Sequence, residues 1–212
     1  MTALRRLPIV LPRSGTAPGT GQGGTAMNQR PPIITFRASV PATASPDAAY
    51  AVLADLSTHL VWTGERAPDK NFRLLALEAP PAPATVGDRF SSKGANGFSM
   101  TFFDSSVVVE AERGTRFGFD TESRLERKHR PTWLAHFEHR YTITATGAGA
   151  SIDYTCGVWP LNYLPWWLSP ALRPMTHTLV ERAVRKNMEN LAALAEATGQ
   201  RLPDGTEGPI RA

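Results

Sequence analysis

Between Val86 and Leu194 the chain passes through a series of alternating apolar and polar segments and then changes to a helical period. A period of two puts every second side chain of a strand on the same face. The segments 86–90, 98–112, 115–121, 133–144 and 151–159 follow that rule. From about Pro170 to Ala197 the apolar spacing becomes that of an amphipathic helix. An antiparallel sheet has an apolar face to cover, and one long C-terminal helix is a way to cover it. A curved sheet wrapped round a single helix leaves a space between them, and function is expected there.

The chain of 212 residues is long enough to bury a core without disulfides or structural metals. Its single cysteine, Cys156, excludes an internal disulfide and fits a reducing, cytoplasmic setting. The net charge of +4 is misleading. Arg5, Arg6, Arg13 and Arg30 account for all of it, and the remaining 19 basic and 19 acidic residues balance. Nucleic-acid binding needs a concentrated basic patch, which the rest of the chain lacks, so nucleic acid is excluded as a main partner. No apolar run reaches the roughly 20 residues of a membrane span. The start, Arg5-Arg6 before Leu7–Leu11, imitates a signal peptide, but its apolar run is short and interrupted by Pro8. Ser14–Ala26 has almost nothing to bury and is expected to be disordered. Residues 1–30 therefore read as a non-structural leader, with 1–26 a leader or an over-extended reading frame. Residues 31–198 read as one domain, and 199–212 as a tail.

Within that domain Ile33–Val40 reads as a first strand ended by Pro41. Ser45 is placed as the N-cap of a helix with Pro46 in its first position, and Tyr50, Leu53 and Ala54 form its apolar stripe. Asp55-Leu56-Ser57 breaks this helix, Thr58–Trp62 forms a second short one, and Phe72–Leu77 is a strand. Turns are expected at Gly94-Ala95-Asn96-Gly97, Arg113-Gly114 and Gly147-Ala148-Gly149.

This order resembles the START-like, or SRPBCC, superfamily, which includes polyketide cyclase/dehydrase-like proteins. The residues that carry the resemblance are Pro46–Trp62, Val86-Gly87-Asp88-Arg89-Phe90, and Asn187–Leu194. It covers about residues 33–198. It implies an α+β helix-grip fold, a curved antiparallel sheet around a long C-terminal helix with two short helices after the first strand. It also implies a ligand-binding domain that needs no cofactor.

The last hairpin is the most readable segment. Period two gathers Trp133, Ala135, Phe137, His139, Tyr141 and Ile143 on one face, and Ile152, Tyr154, Cys156 and Val158 on the facing strand. With Thr146–Gly149 as a four-residue loop, Tyr141 opposes Tyr154 and His139 opposes Cys156. His139, Tyr141, Tyr154 and Cys156 thus form a small polar cluster on an apolar wall. The three readings are a satisfied core, an anchor for a bound molecule, and acid–base catalysis by His139 with Tyr141 or Tyr154. His136 and His139 point to opposite faces and cannot share an ion. His59 and His177 have no partner in the sequence, and no metal is expected.

Val158–Leu168 is uncharged, rich in Trp and interrupted by Pro160 and Pro165. It is expected to pack over the mouth of the pocket, with weak, largely salt-insensitive membrane contact as the alternative. The basic run Arg124–Arg130 is expected at a solvated hairpin tip. In the closing helix Leu172, Met175, Leu179, Ala183, Leu191 and Leu194 are placed on the inner face, with Glu181 and Arg185 paired outside. The cavity wall is therefore expected to comprise Trp62, Phe90, Met100, Phe102, Phe117, Phe119, Phe137, His139, Tyr141, Tyr154, Cys156, Met175 and Leu179. The expected ligand is a hydrophobic small molecule of lipid, polyketide or isoprenoid type, held by a carrier or sensor. A polyketide cyclase or dehydratase is the alternative.

Overall fold

The computed structural model describes residues 31–66, 73–96 and 99–199. The expected leader and nearly all of the expected tail lie outside them. β1 (Ile34–Ala42) buries every second residue from Ile34 to Ala42. It runs past Pro41, where the sequence predicts a stop. β1 is an edge strand paired only to β7, and its odd residues turn their backbone groups away from β7. Pro41 lies in that set, so the N–H it lacks is one the sheet does not use.

In α1 (Pro46–Ala54) the Ser45 hydroxyl accepts from the Ala48 N–H at 3.2 Å, and Pro46 begins the helix. The Asp55 carboxylate then accepts from Ser57 N–H at 3.1 Å and starts a 3-10 turn at Leu56–Thr58. A π turn at Val61–Glu65 follows and turns Trp62 inward. The remaining strands are β2 (Arg73–Glu78), β3 (Arg89–Asn96), β4 (Met100–Glu112), β5 (Arg116–Glu126), β6 (Trp133–Thr146) and β7 (Gly149–Pro160), and the chain closes with α2 (Arg173–Gly199). The seven strands form one antiparallel sheet in the order β1-β7-β6-β5-β4-β3-β2. This sheet, its long C-terminal helix and the short helices after β1 make the helix-grip fold.

Two strands differ from the sequence expectation. β3 begins at Arg89, after a turn in which Asp88 accepts from the Thr85 N–H, and it continues through Asn96. Gly94 is therefore a strand residue. A Cβ there would collide with the Phe102 ring, so this glycine permits close packing instead of a turn. β5 continues beyond Thr121 to Glu126 because Thr121, Ser123 and Leu125 keep the inward alternation. Polar residues on that inner face hid the strand from a hydrophobicity reading.

The β6–β7 register pairs Tyr141 with Tyr154, His139 with Cys156 and Phe137 with Val158, as the alternation predicts. Thr146 and Gly149 form its last pair, leaving Gly147-Ala148 as the turn. A slip of one residue would turn every inward side chain outward, so this turn aims the whole polar cluster.

The C-terminal half of α2 buries Leu191 and packs Leu194 on the core as expected, but its N-terminal half presents a different face. Thr176, Val180, Asn187, Met188, Leu191, Ala192 and Ala195 are buried. Met175 and Leu179 are 54% and 53% exposed. The apolar residues in the first turns of this helix lie on two faces, and the buried face carries polar Thr176 and Asn187. Glu181 does not pair with Arg185. It accepts from the backbone N–H of Arg37 at 2.9 Å and lies 3.3 Å from His177.

Gly149 has φ +140°, and a Cβ there would meet the backbone of Ala42 and Thr43, whereas a Cβ on Gly147 meets open space. Gly149→Ala is therefore expected to lower unfolding free energy by about 1–3 kcal/mol, and Gly147→Ala by less than about 0.5 kcal/mol. Urea denaturation of the two variants side by side measures the difference.

Candidate functional site

α2 packs on β1, α1 and the π turn, near one side of the sheet. The inner faces of β3–β6 are left to enclose a space. That space has two lobes of about 180 Å³ each, whose walls share Phe102, Asp104, Thr121, His139, Tyr154 and Val184. The first lobe lies under the π turn and the β2–β4 corner, with His59, Trp62, Arg73, Phe90, Phe119, Tyr141, Asn187 and Met188 in its wall. The second runs toward the last loop, against Ile34, Phe36, Leu125, Trp133, Phe137, Cys156, Trp167, Leu168 and Val180.

Of the residues expected from sequence, Trp62, Phe90, Phe102, Phe119, Phe137, His139, Tyr141, Tyr154 and Cys156 line one or both lobes. Phe117 is fully buried but packs edge-on to Tyr50 of α1, away from both lobes. Met100 is buried but lines neither lobe, facing instead a neighbouring pocket with Arg127, Arg130 and Tyr163 behind the wall that Leu125, Trp133 and Trp167 give the second lobe. Met175 and Leu179 are on the outer face of α2, and Val180, Val184, Asn187 and Met188 take their place. Period two on β4 also points to Asp104, in the inward series Met100, Phe102, Asp104, Ser106, Val108. An acid in that series was the legible signal, and a search for apolar residues passes over it. His59, which has no partner in the sequence, also lines the first lobe. It is buried, with Nε2 3.0 Å from the Leu53 carbonyl and its ring 4.8 Å from Trp62.

Apart from Arg73 and Asp104, the titratable groups of the cavity are held uncharged. His139 Nδ1 and the Tyr154 hydroxyl share a hydrogen bond of 2.8 Å, and the imidazole stacks on Phe119 at 4.5 Å. Burial, reinforced by the positive charge of Arg140, pushes the His139 pKa down to about 3, and burial takes His59 to about 4. Burial also raises the phenols of Tyr141 and Tyr154 and moves the Cys156 thiol to about 12. At neutral pH this gives neutral imidazoles, un-ionised phenols and a thiol. Burial raises Asp104 to about 6 against the opposing pull of the neighbouring Ser123 and Ser92 hydroxyls, of which Ser92 donates to Oδ2 at 3.3 Å. Asp104 is the cavity group whose proton is most easily exchanged near neutral pH.

Asp120, His136 and Glu138, on the outer face, have ligand atoms within 4.8 Å of one another. The Arg140 guanidinium already lies 2.7 Å from Asp120 and 3.7 Å from Glu138, so the carboxylates have a cation. The Trp-rich loop is tied down. Trp133 Nε1 donates to the Tyr163 carbonyl at 2.9 Å, Asn162 accepts from Leu134 N–H and donates to the Thr132 carbonyl, and Thr176 donates to the Trp167 carbonyl. Trp167 crosses Trp133 edge-on at 5.0 Å and closes the second lobe. Trp159 lies instead on the outer face, beside His136.

No protein-family model matches the chain, and no curated protein is significantly similar to it in sequence. Solved structures are similar in fold. An uncharacterised protein from Rhizobium leguminosarum aligns with TM-score 0.55 and 11% identity over 77% of this chain and 95% of that one. The Mll3558 protein from Rhizobium loti aligns with TM-score 0.55 and 16% identity over 76% and 96%. Ara h 8.0201 aligns with TM-score 0.52 and 11% identity over 77% and 98%. At these identities the likeness is one of fold.

The raised pKa of Asp104 has a definite sign. Its favourable contribution to folding is fully present below about pH 4 and is lost as pH rises through about 6. A shift of about two units corresponds to roughly 3 kcal/mol. Asp104→Asn is therefore expected to melt at higher temperature than wild type at pH 8, with the gap closing toward pH 4. Calorimetric melting at both pH values checks it. The comparison must be by difference, because unprotonated His59 and His139 destabilise wild type and variant alike on acidification.

Proposed function

We propose that this protein is a carrier or sensor that binds a hydrophobic small molecule of lipid, polyketide or isoprenoid type between its sheet and α2, and that it is a member of the START-like superfamily. The supporting observation is a two-lobed space between sheet and helix that exposes mainly apolar surface, with its polar groups concentrated in the first lobe, a composition that suits a small-molecule site. Removing apolar ligand surface from water contributes about 25 cal/mol per Å², so a molecule filling both lobes gains most of its affinity from the walls. The hydrogen-bonded Trp loop acts as a fixed end wall, and its exposed Leu161, Tyr163 and Leu164 give at most weak, salt-insensitive membrane contact. With a single buried cysteine, a cytoplasmic setting suits the chain.

A second reading, a cofactor-independent cyclase or dehydratase, is favoured by Asp104, a cavity acid whose pKa of about 6 suits proton transfer near neutrality. It predicts accelerated exchange of the methylene protons of a bound β-diketone for deuterium. The exchange should be lost in Asp104→Asn and absent altogether if the protein only binds.

Val184 faces both lobes from α2. Val184→Trp fills the space and is expected to weaken binding of uncharged 1-aminoanthracene about tenfold or more, as an introduced clash does, while melting stays cooperative. Met175→Ser and Leu179→Ser, on the outer face, should leave binding unchanged. Fluorescence titration reads all three, and a wild type that does not enhance the probe contradicts the proposal.

A further inference from the structure

Folded proteins leave very few buried polar atoms without a hydrogen-bond partner. Among the described residues, four such atoms line one lobe: Trp62 Nε1, Arg73 Nε, Asp104 Oδ1 and Asn187 Oδ1. They come from four separate elements, the π turn, β2, β4 and α2. Trp62 and Asn187 are 3% and 9% exposed, so water outside the cavity does not serve them. The second lobe, toward Trp133 and Leu168, holds only one of these atoms, Asp104 Oδ1, on the wall that both lobes share.

We propose that the first lobe is the head-group subsite of the cavity, built for an uncharged, oxygen-bearing end of the bound molecule that both accepts and donates hydrogen bonds, with the apolar remainder in the second lobe. This rests on the binding reading above and adds orientation and chemical class to it. Indole and guanidine N–H groups donate to a ligand oxygen. The Asp104 carboxyl and the Asn187 side-chain amide receive a ligand O–H. The charge balance selects a neutral group. His59 and His139 are unprotonated, and Arg73 and Asp104, both in the wall of this lobe, bring opposite charges to it. A ligand carboxylate would be set against Asp104, and a ligand ammonium against Arg73. A hydroxyl beside or conjugated to a ring satisfies both sides and brings no charge into a space where charge is costly.

A matched series of probes of one size tests this: naphthalene, 2-naphthol, 2-naphthoate and 2-naphthylmethylammonium, titrated calorimetrically at pH 7. The quantity read is each affinity relative to that of naphthalene. One buried hydrogen-bonding group left unserved is worth about tenfold. Wild type should therefore prefer 2-naphthol by about tenfold or more, and neither charged probe should exceed naphthalene. The preference should fall to near unity in Asp104→Leu and Asn187→Leu and survive in part in Asp104→Asn, which keeps an acceptor and guards against a misfolded leucine variant. If naphthalene binds and 2-naphthol gains nothing, the lobe holds only water and the proposal is overturned while cavity binding stands. If 2-naphthoate wins, Arg73 makes an anion site and the neutral head is wrong. If no probe binds wild type, the binding reading itself fails.

Discussion

The open edge of β1 is satisfied by side chains of α2, and the cavity between sheet and helix depends on that contact. An unpaired strand edge exposes alternate N–H and C=O groups that need partners. Here Glu181 accepts from Arg37 N–H and Glu196 from Thr43 N–H, while His177 and Arg185 reach the carbonyls of Thr35 and Ser39. These four helix residues are spaced over five turns, so the bonds fix both the position and the rotation of α2 along the strand. A helix held at one edge cannot also fill the hollow over β3–β6. The cavity follows from where the helix is held.

The rotation decides which side chains face that hollow. With Glu181 and His177 committed to β1, the face carrying Val180, Val184, Asn187 and Met188 turns to the cavity, and Met175 with Leu179 turns to solvent. The hairpin opposite presents His139 and Tyr154 from the sheet side. A tightly packed aromatic wall, with Phe119 stacked on His139 and Tyr141 tilted against Tyr154 at 4.9 Å, keeps those groups neutral and oriented. The polar residues here lower stability where they stand without partners, and a binding site is the setting in which such a loss is retained.

The fold was legible because it rests on repeating patterns. The alternation in β6 and β7 identifies their inner faces, and the Gly147-Ala148 turn then sets their pairing residue by residue. Ser45 and Pro46 begin α1 for local reasons that sequence alone displays. The errors came where a tertiary contact overrides local pattern. The rotation of α2 is set by hydrogen bonds to a strand over a hundred residues away, so hydrophobic spacing chose Met175 and Leu179. Gly94 in β3 lies against the Phe102 ring and the Arg73 carbonyl, contacts that no local pattern displays. The inner sites of Asp104, Thr121 and Ser123 are polar, and a search for a hydrophobic pocket discounts the residues that give it chemical character. Arg73 and Asn187 join them only through the folded arrangement of β2, β4 and α2.

Methyl-selective NMR tests the central claim, that a ligand enters the space bounded by the inner face of α2, most directly. With the methyl groups of Val180, Val184, Met188, Met175 and Leu179 labelled in the full chain, 2-naphthol is added in steps. The account predicts shifts and ligand-to-methyl nuclear Overhauser effects at Val184, Val180 and Met188, with Met175 and Leu179 unmoved. Effects confined to Met175 and Leu179 would place the ligand on the outer surface of the helix and contradict it.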